Sequence, residues 1–215
     1  MPGSRTHRAA AGSATGFIDP VSAFDLPPGC VIAGIDEVGR GALAGPVTAA
    51  AVILRPEVSI PGLADSKTLT ARRRERVAAD IRASALSVTV AHVAPSDIDA
   101  LGIVEATRRA MSDALAQLSV RPDIVLVDGL PVELPAQTRA VVRGDSLLAA
   151  VAAASIVAKV ERDRLMTELD ETFPGYAFAV HKGYGTAQHL EALHRLGPCT
   201  AHRMSFAPCS QVRLF

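Results

Sequence analysis

Residues 34–41 read Gly-Ile-Asp-Glu-Val-Gly-Arg-Gly, and the rest of the chain is organised around this stretch. The apolar run at 31–35 predicts a buried strand that delivers Asp36 and Glu37 to its end, where a turn with two glycines follows. Two adjacent carboxylates at a buried strand end are costly unless a cation or hydrogen bonds compensate their charge. The stretch therefore predicts a metal site, with two solvated acids in an ordinary turn as the alternative.

The composition predicts one domain with a substantial core. The chain has 215 residues, 49% of them hydrophobic, and its 22 basic residues balance 22 acidic ones. This neutrality favours no particular partner, although a local basic groove can still bind nucleic acid. Tryptophan is absent and other aromatic residues are few, which argues against an extended stacking platform for single strands.

Cysteine usage and hydropathy favour a cytoplasmic protein. The three cysteines, Cys30, Cys199 and Cys209, form no Cys-x-x-Cys pair, which is typical of a reducing compartment without structural zinc. The first residues lack the apolar segment of a secretory signal, and no apolar run is long enough to cross a membrane. We expect a flexible N-terminal extension at 1–28 and a C-terminal tail at 207–215.

Sequence periodicity predicts a mixed sheet flanked by helices. Strands are expected at 31–35, 47–54, 86–93, 123–129 and 140–142, and helices from Thr68 or Thr70 to about 83, at 103–118, at 146–169 and at 187–196. Residues 95–97 are expected to form a local turn and residues 181–186 a second glycine-rich loop. The first two strands should pair as a hairpin and later strands alternate with helices, so antiparallel strands lead into parallel ones.

Three separate predicted strands end in acidic residues. The first ends in Asp36 and Glu37, the second in Asp128 and the third in Asp145. In open α/β sheets such strand ends converge on one edge, where four carboxylates would repel one another without a divalent cation. Oxygen-only ligands favour Mg²⁺ or Mn²⁺. There are alternatives, since Asp145 is also placed to cap a helix and Asp128 fits a simple turn. Asp36 and Glu37 share one site only if their strand ends or bends, because adjacent strand side chains point to opposite faces.

The glycine turn also invites comparison with a dinucleotide-binding fingerprint. Residues 39–45 read Gly-Arg-Gly-Ala-Leu-Ala-Gly, one residue longer than G-x-G-x-x-G. That fingerprint needs a helix directly after the turn, whereas Pro46 and the β-branched run behind it predict a strand. Two carboxylates beside a pyrophosphate would also repel it. The nucleotide-cofactor interpretation is therefore disfavoured.

Taken together, these stretches resemble the ribonuclease HII family, the type 2 ribonucleases H of bacteria. The matching segments are GIDEVGRG at 34–41, LAGPV at 43–47, DSK at 65–67, VDG at 127–129, GD at 144–145, ASIVAKV at 154–160, RDR at 162–164, HKGYGT at 181–186 and HRMSF at 202–206. Each segment is short, but their order and spacing cover nearly the whole chain. Val38 and Ala42 stand where alanine and proline are usual, and neither carries chemistry. The related ribonuclease HIII lacks the Gly-Arg-Gly turn.

The resemblance implies a ribonuclease H-like fold over residues 29–206, with a five-stranded mixed sheet and a C-terminal helical extension. It implies an endonuclease that cleaves the RNA strand of RNA–DNA hybrids and single ribonucleotides embedded in duplex DNA, leaving 5′-phosphate and 3′-hydroxyl ends. The catalytic, metal-binding acids of the family correspond to Asp36, Glu37, Asp128 and Asp145, which suits two Mg²⁺ or Mn²⁺ ions acting on one phosphodiester. We expect a monomer that has no membrane partner.

The resemblance also implies a set of substrate-binding residues. The backbone of Gly39, Arg40 and Gly41 would contact the 2′-hydroxyl, which distinguishes RNA from DNA, and Tyr184 would stack on the next sugar. Candidate phosphate contacts are Lys67, Ser155, Lys159 and Lys182. A core position for Tyr184 and solvated lysines are the alternatives. The run Arg72-Arg73-Arg74-Glu75-Arg76 is interpreted as a solvated helix face, and the histidines near the C-terminus as structural or phosphate-facing.

The last five residues, Gln211-Val212-Arg213-Leu214-Phe215, resemble the pentapeptide with which bacterial replication and repair proteins dock on the sliding clamp. Gln211 would hydrogen-bond at the rim of an apolar pocket that takes Leu214 and Phe215. Val212 stands where leucine is usual. The alternative is a tail that folds back over the core of the protein.

Two functions of other classes stay open beside ribonuclease H activity. One is a different metal-dependent nuclease of the same fold, such as a junction resolvase or an integrase-like enzyme. Cleavage of a duplex with one ribonucleotide, but not of all-DNA junctions, separates it from a ribonuclease H. The other is a nucleic-acid-binding module without catalysis, against which the complete set of four acids argues.

Overall fold

A computed structural model describes residues 16–129 and 131–211, and these form a five-stranded mixed sheet. The strands are β1 (Ile32–Val38), β2 (Val47–Ile53), β3 (Ser87–Val93), β4 (Ile124–Asp128) and β5 (Thr138–Val141), in the order β3-β2-β1-β4-β5. β1 pairs antiparallel with β2 and parallel with β4, while β3 extends the antiparallel half and β5 the parallel half. The predicted fold class, with its leading hairpin, is confirmed.

Helices cover both faces of this sheet. They are α1 (Pro20–Ala23), α2 (Ala71–Ser84), α3 (Pro95–Leu101), α4 (Ile103–Ala116), α5 (Gly144–Leu147), α6 (Ala149–Thr172), α7 (Phe178–His181), α8 (Ala187–Leu196) and α9 (Ala207–Gln211), with a 3₁₀ turn at Ser66–Thr68. α6 lies against β1 and β2, with α2 beside it, and α4 covers β2 and β3. None of the helices in the described parts of the chain is long and apolar enough to cross a membrane.

The alanine-rich first half of α6 approaches the sheet unusually closely. A Cβ atom at Gly34 would lie 2.2 Å from the carbonyl carbon of Ala150, so only glycine fits at that point of β1. Ala153 and Ala154 are fully buried in the same interface. This close packing holds β1, which carries the first two acids, in the centre of the molecule.

The starts of α3 and α6 differ from the sequence prediction. Residues 95–97, expected to form a turn, begin α3, because Pro95 fits the first helical turn, where its missing N–H needs no partner. The helix predicted at 146–169 is divided into α5 and α6 at Leu148, whose backbone is extended. Leu148 is 1% exposed and belongs to a buried cluster under β4, so core packing accounts for the break.

Both ends of the described chain pack against the core. Asp19 caps α1, and Phe24 and Leu26, within the extension expected at 1–28, contact the buried cluster under β4. The tail expected at 207–215 begins as α9, where Cys209 is fully buried. Residues 1–15 and 212–215 lie outside the described residues.

Candidate active site

The four predicted acids come to the same edge of the sheet. The pairing of β1 with β4 ends at Ile35 and Val127, so Asp36 and Asp128 follow it on neighbouring strands. Beyond that point β1 stays paired with β2 as far as Val38, so the strand is longer than the sequence predicted. On the side of β4, residues 36–38 of β1 have no strand partner among the described residues. Asp36, Glu37 and Asp128 line a cleft of about 430 Å³ at this edge.

Asp36 is buried beside two other acids. Its side chain is 7% exposed and its Oδ1 accepts the amide N–H of Glu37 across 2.8 Å. Burial, together with the negative charges of Glu37 and Asp128, raises the pKa of the Asp36 carboxyl to about 8. A nearby cation would favour the ionised form of this carboxyl.

The outer two acids are each paired with a basic side chain. Glu37 accepts from the guanidinium of Arg40 at 3.1 Å, and Asp145 accepts from the ammonium of Lys67 at 2.7 Å. Asp145 is 3% exposed, and its amide donates to Oδ1 of Asp128 at 3.4 Å. Its carboxylate does not cap α5, because that helix begins after Arg143 without a side-chain cap. The helix-capping alternative for Asp145 is therefore wrong.

These carboxylates fit a divalent cation by their chemistry, since all of their donor atoms are oxygens. Within 16–129 and 131–211, however, no three acidic, histidine or cysteine side chains are gathered so that they could hold a metal ion as they stand. Glu37 is paired with Arg40 instead, and Asp145 with Lys67. Both carboxylates would have to exchange a basic side chain for the ion.

The glycine turn presents open backbone to the cleft. Gly39 adopts a φ of 91°, and a Cβ there would lie 2.1 Å from Nε of Arg162, so this position requires glycine. Gly41 has no heavy atom within 4 Å of a would-be Cβ, which leaves space for a ligand to reach the main chain. The turn therefore combines a tightly packed first residue with an accessible third one.

Two buried arginines shape this turn, and both were missed as site residues in the sequence analysis. Arg162 donates to the carbonyl oxygens of Ala44, Pro46 and Lys182, at 2.9 to 3.1 Å. Arg203 donates to the carbonyl oxygen of Arg40 and twice to that of Gly45. Both arginines lie in quoted family segments, but a charged residue in a motif gives no sign that it is fully buried.

Tyr184 lies where the turn and the glycine-rich loop meet. It lines the cleft and is only partly buried, so the core alternative is wrong. The guanidinium of the fully buried Arg162 lies 5.5 Å from the centre of its ring. Gly183 packs tightly behind it, since a Cβ there would lie 2.4 Å from the carbonyl oxygen of Ala44.

Three of the four candidate phosphate contacts line the cleft. Lys67 and Lys159 do so beside Ser155, whose hydroxyl lies 2.9 Å from that of Ser66. Lys159 is also ion-paired with Asp163. Lys182 does not line the cleft, because its ammonium bonds the carbonyl oxygen of Asp163 and the hydroxyl of Thr167, both at 3.2 Å.

Arg74 is a cleft residue that the sequence analysis assigned to a solvated face. It donates to the carbonyl oxygens of Ser66 and Leu69, and it lies 3.7 Å from the carboxylate of Asp163. Arg72, Arg73 and Arg76 are exposed as expected. One residue of a basic run can thus turn inward at the helical period while its neighbours stay in solvent.

Comparison with curated proteins identifies many relatives of this chain. A family model for ribonuclease HII matches residues 33–209. The ribonuclease HII of Coxiella burnetii (strain Dugway 5J108-111) is 50% identical over 190 residues, which cover 88% of this chain and 94% of that protein. The ribonuclease HII of Burkholderia thailandensis is 49% identical over 204 residues, covering 94% of this chain and 95% of that protein.

Solved structures share the fold. The ribonuclease H2 of Pyrococcus horikoshii OT3 has a TM-score of 0.75 at 25% identity, covering 84% of this chain and 96% of that one. The ribonuclease HII of Archaeoglobus fulgidus, solved in complex with PCNA, has a TM-score of 0.70 at 30% identity, covering 81% of this chain and 94% of that one. The sequence match over nearly the whole domain and the common fold agree, and the chain belongs to the ribonuclease HII family of type 2 ribonucleases H.

Proposed function

We propose that this ribonuclease H cleaves the RNA strand of RNA–DNA hybrids and single ribonucleotides embedded in duplex DNA. The products carry 5′-phosphate and 3′-hydroxyl ends. The observation that carries the proposal is the meeting of the acidic edge with an accessible glycine turn in one cleft. A cation-binding centre beside exposed backbone is what selective hydrolysis next to a 2′-hydroxyl requires.

The acids Asp36, Glu37, Asp128 and Asp145 would hold the divalent cations, Mg²⁺ or Mn²⁺. When bound, such cations supply an activated water and stabilise the leaving 3′-oxygen. The buried Asp36 would be a central ligand, because its raised pKa indicates a carboxyl whose ionised form a neighbouring positive charge would stabilise. Lys67 and Arg40 would be released from their carboxylates and become available to substrate phosphates.

Recognition of the ribonucleotide is assigned to the turn and to Tyr184. The main chain of residues 39–41 would bond the 2′-hydroxyl, and the partly exposed ring of Tyr184 would pack on the adjacent sugar. Lys67, Ser155 and Lys159 would contact phosphates, since they line the same cleft. We assign Lys182 to holding its own loop against α6, in view of its contacts with Asp163 and Thr167.

The C-terminal pentapeptide is proposed to dock on the bacterial sliding clamp. Gln211 is exposed at the end of α9, and Leu214 and Phe215, which lie outside the described residues, would enter an apolar pocket of the partner. Support comes from the Archaeoglobus relative, whose structure contains PCNA. The clamp would deliver the enzyme to DNA without taking part in cleavage.

The deciding experiment uses a DNA duplex with one ribonucleotide, incubated with the full chain and Mg²⁺ or Mn²⁺. We expect a single cut at the ribonucleotide, with 5′-phosphate and 3′-hydroxyl ends and no cut in the all-DNA duplex. Cleavage of all-DNA junctions instead would identify another nuclease of this fold. Binding without cleavage under either metal would identify a non-catalytic binding module.

A further inference from the structure

Behind the loop that carries Tyr184 lies a buried group of three histidines. His181, His189 and His202 are 8%, 0% and 2% exposed, respectively. The ring of His181 stacks on that of His189 at a centroid distance of 4.3 Å, and the ring of Phe178 lies nearly perpendicular to both. Every ring nitrogen in the group has a hydrogen-bond partner. Because all of these nitrogens are hydrogen-bonded, the network holds each ring in a defined orientation.

Backbone groups at the two ends of this network decide which nitrogens carry protons. The amide N–H of Cys199 donates to Nδ1 of His202 across 3.0 Å, so the proton of the neutral ring must sit on Nε2. That Nε2–H donates to Nε2 of His189 across 3.1 Å. His189 must then carry its proton on Nδ1, which donates to the carbonyl oxygen of Tyr184 across 3.0 Å. The result is a chain of hydrogen bonds that all donate in one direction, from the amide of Cys199 through His202 and His189 to the carbonyl oxygen of Tyr184. We call this chain the relay.

The surroundings keep both rings of the relay neutral. Burial, and next the neighbouring His189, lowers the pKa of His202 to about 4, and burial likewise lowers the pKa of His189. The other titratable groups that face the relay are His181, the phenol of Tyr176 and the thiol of Cys199, which lies 3.2 Å from Nδ1 of His202. A second proton on either ring would set two donors against each other.

We propose that His189 and His202 are positioning residues of the active site, which hold the carbonyl group of Tyr184 and so keep its ring in the cleft. The same carbonyl oxygen accepts the amide of Thr186 at 2.8 Å. The loop is therefore held both from within and from the core behind it. Because Tyr184 receives its role from the proposed function, the task of the relay rests on that function too.

Substitution by asparagine or glutamine tests the roles of the two ring nitrogens one at a time. The amide nitrogen of asparagine reaches the position of Nδ1, and that of glutamine reaches the position of Nε2. His189→Asn retains a donor for Tyr184, whereas His189→Gln loses it. We expect kcat for cleavage at a single ribonucleotide to fall about fivefold further in His189→Gln than in His189→Asn, the effect of one net hydrogen bond. KM for the duplex should be equal in the two variants, because phosphate contacts dominate binding.

At His202 the order should reverse. Glutamine there keeps the donor toward His189, while asparagine keeps only the acceptor for Cys199, so His202→Asn should be the slower variant. A role in packing alone predicts no such reversal. Equal losses within each pair, or a change in KM alone, would overturn the proposal.

The tautomers supply a test that does not depend on folding of the variants. Nitrogen-15 NMR of the full unaltered chain at pH 7 should show His189 protonated on Nδ1, and His181 and His202 on Nε2. A proton on Nε2 of His189, or a doubly protonated ring at either relay position, would refute the relay. This measurement needs no substrate. Failure of the unaltered chain to cleave at a ribonucleotide would instead refute the proposed function.

Discussion

The guanidinium of Arg203 donates to the carbonyl oxygen of Arg40 across 2.8 Å. This bond ties the C-terminal part of the chain to the turn that follows β1. Arg203 is fully buried, and its other donors reach the carbonyl oxygen of Gly45 at 2.9 and 3.0 Å. The charge of Arg203 is thus compensated by main-chain carbonyl groups, and these bonds hold the turn in place. No additional carboxylate is needed for this beside the four acids.

Replacing Arg203 with lysine should destabilise the protein and impair cleavage. One ammonium cannot satisfy both carbonyl oxygens in the fork geometry, so we expect a loss of about 2–3 kcal/mol in the free energy of unfolding. Urea denaturation measures this loss. Arg195→Lys is the matched control, because Arg195 is exposed and makes a single bond to the carbonyl oxygen of Gly175. Equal losses in the two variants would contradict the assigned role of Arg203.

Asp128→Asn should abolish cleavage without harming the fold. Removing this charge relieves repulsion on Asp36, so thermal stability should stay the same or rise, while activity falls at least about a hundredfold. Titration of the unaltered and variant proteins with Mn²⁺ should show weaker binding in the variant. Asp113→Asn, at an exposed ion pair on α4, is the control and should change neither quantity. Near-normal cleavage by Asp128→Asn would remove the metal-site assignment.

Tyr184→Ala should slow cleavage at a single ribonucleotide more than it weakens binding to the duplex. Phosphate contacts dominate binding, whereas the ring acts on the sugar beside the scissile bond. Single-turnover kinetics and a binding titration on the same duplex separate the two effects. Tyr184→Phe, which keeps the ring, should stay close to the unaltered protein. The specificity role fails if Tyr184→Ala reduces affinity and rate in equal proportion.

Deleting residues 211–215 should abolish binding to the sliding clamp and leave cleavage of free duplex unchanged. The tail would supply its apolar pair to the partner rather than to its own core. A pull-down with purified clamp measures the first effect and the duplex assay the second. The double change Leu214→Ala with Phe215→Ala should match the deletion, whereas Arg213→Ala should bind normally. Absence of clamp binding by the full chain would eliminate this partner.

The free energy of unfolding should fall as the pH drops below about 6.5, partly because of His202. Its folded pKa of about 4 lies below the ordinary value of 6.5, so the unfolded chain takes up the proton first. The stabilisation is complete above pH 6.5 and is lost between there and about pH 4. It amounts to on the order of 3 kcal/mol. Urea denaturation between pH 7 and 4.5 should show a shallower fall for His202→Gln than for the exposed control His194→Gln. Equal slopes would show that His202 does not titrate in this way.

Local patterns predicted much of the fold and of the candidate site. Alternating and apolar runs indicated the five strands, and α8 has the predicted bounds. Of the two predicted caps, Thr68 and Thr70, it is Thr70 that caps α2. Acids after three strands predicted that they would meet. The parallel pairing of β1 with β4 places Asp36 and Asp128 on neighbouring strands, and Asp145 lies on α5 with its amide 3.4 Å from Oδ1 of Asp128. These features were accessible because they depend on side-chain periodicity, capping and strand direction.

Contacts between residues far apart in the chain could not be predicted from local sequence patterns. Lys182 was expected to contact phosphate but turns toward α6. Arg74 was expected on a solvated helix face but lines the cleft. Whether a lysine or arginine lines a cleft depends on which distant carbonyl or carboxylate folds beside it, and no local pattern records that partner.

The amino-acid sequence by itself determined the mixed sheet, the family of the chain and which four acids follow its strands, because side-chain periodicity and residue chemistry can be read from the order of the residues. Only the tertiary structure decided that Arg162 and Arg203 converge on the glycine turn and that His189 and His202 align behind Tyr184. Burying a charged or polar side chain is favourable only where folding supplies its hydrogen-bond partners, and here those partners are main-chain groups from distant segments.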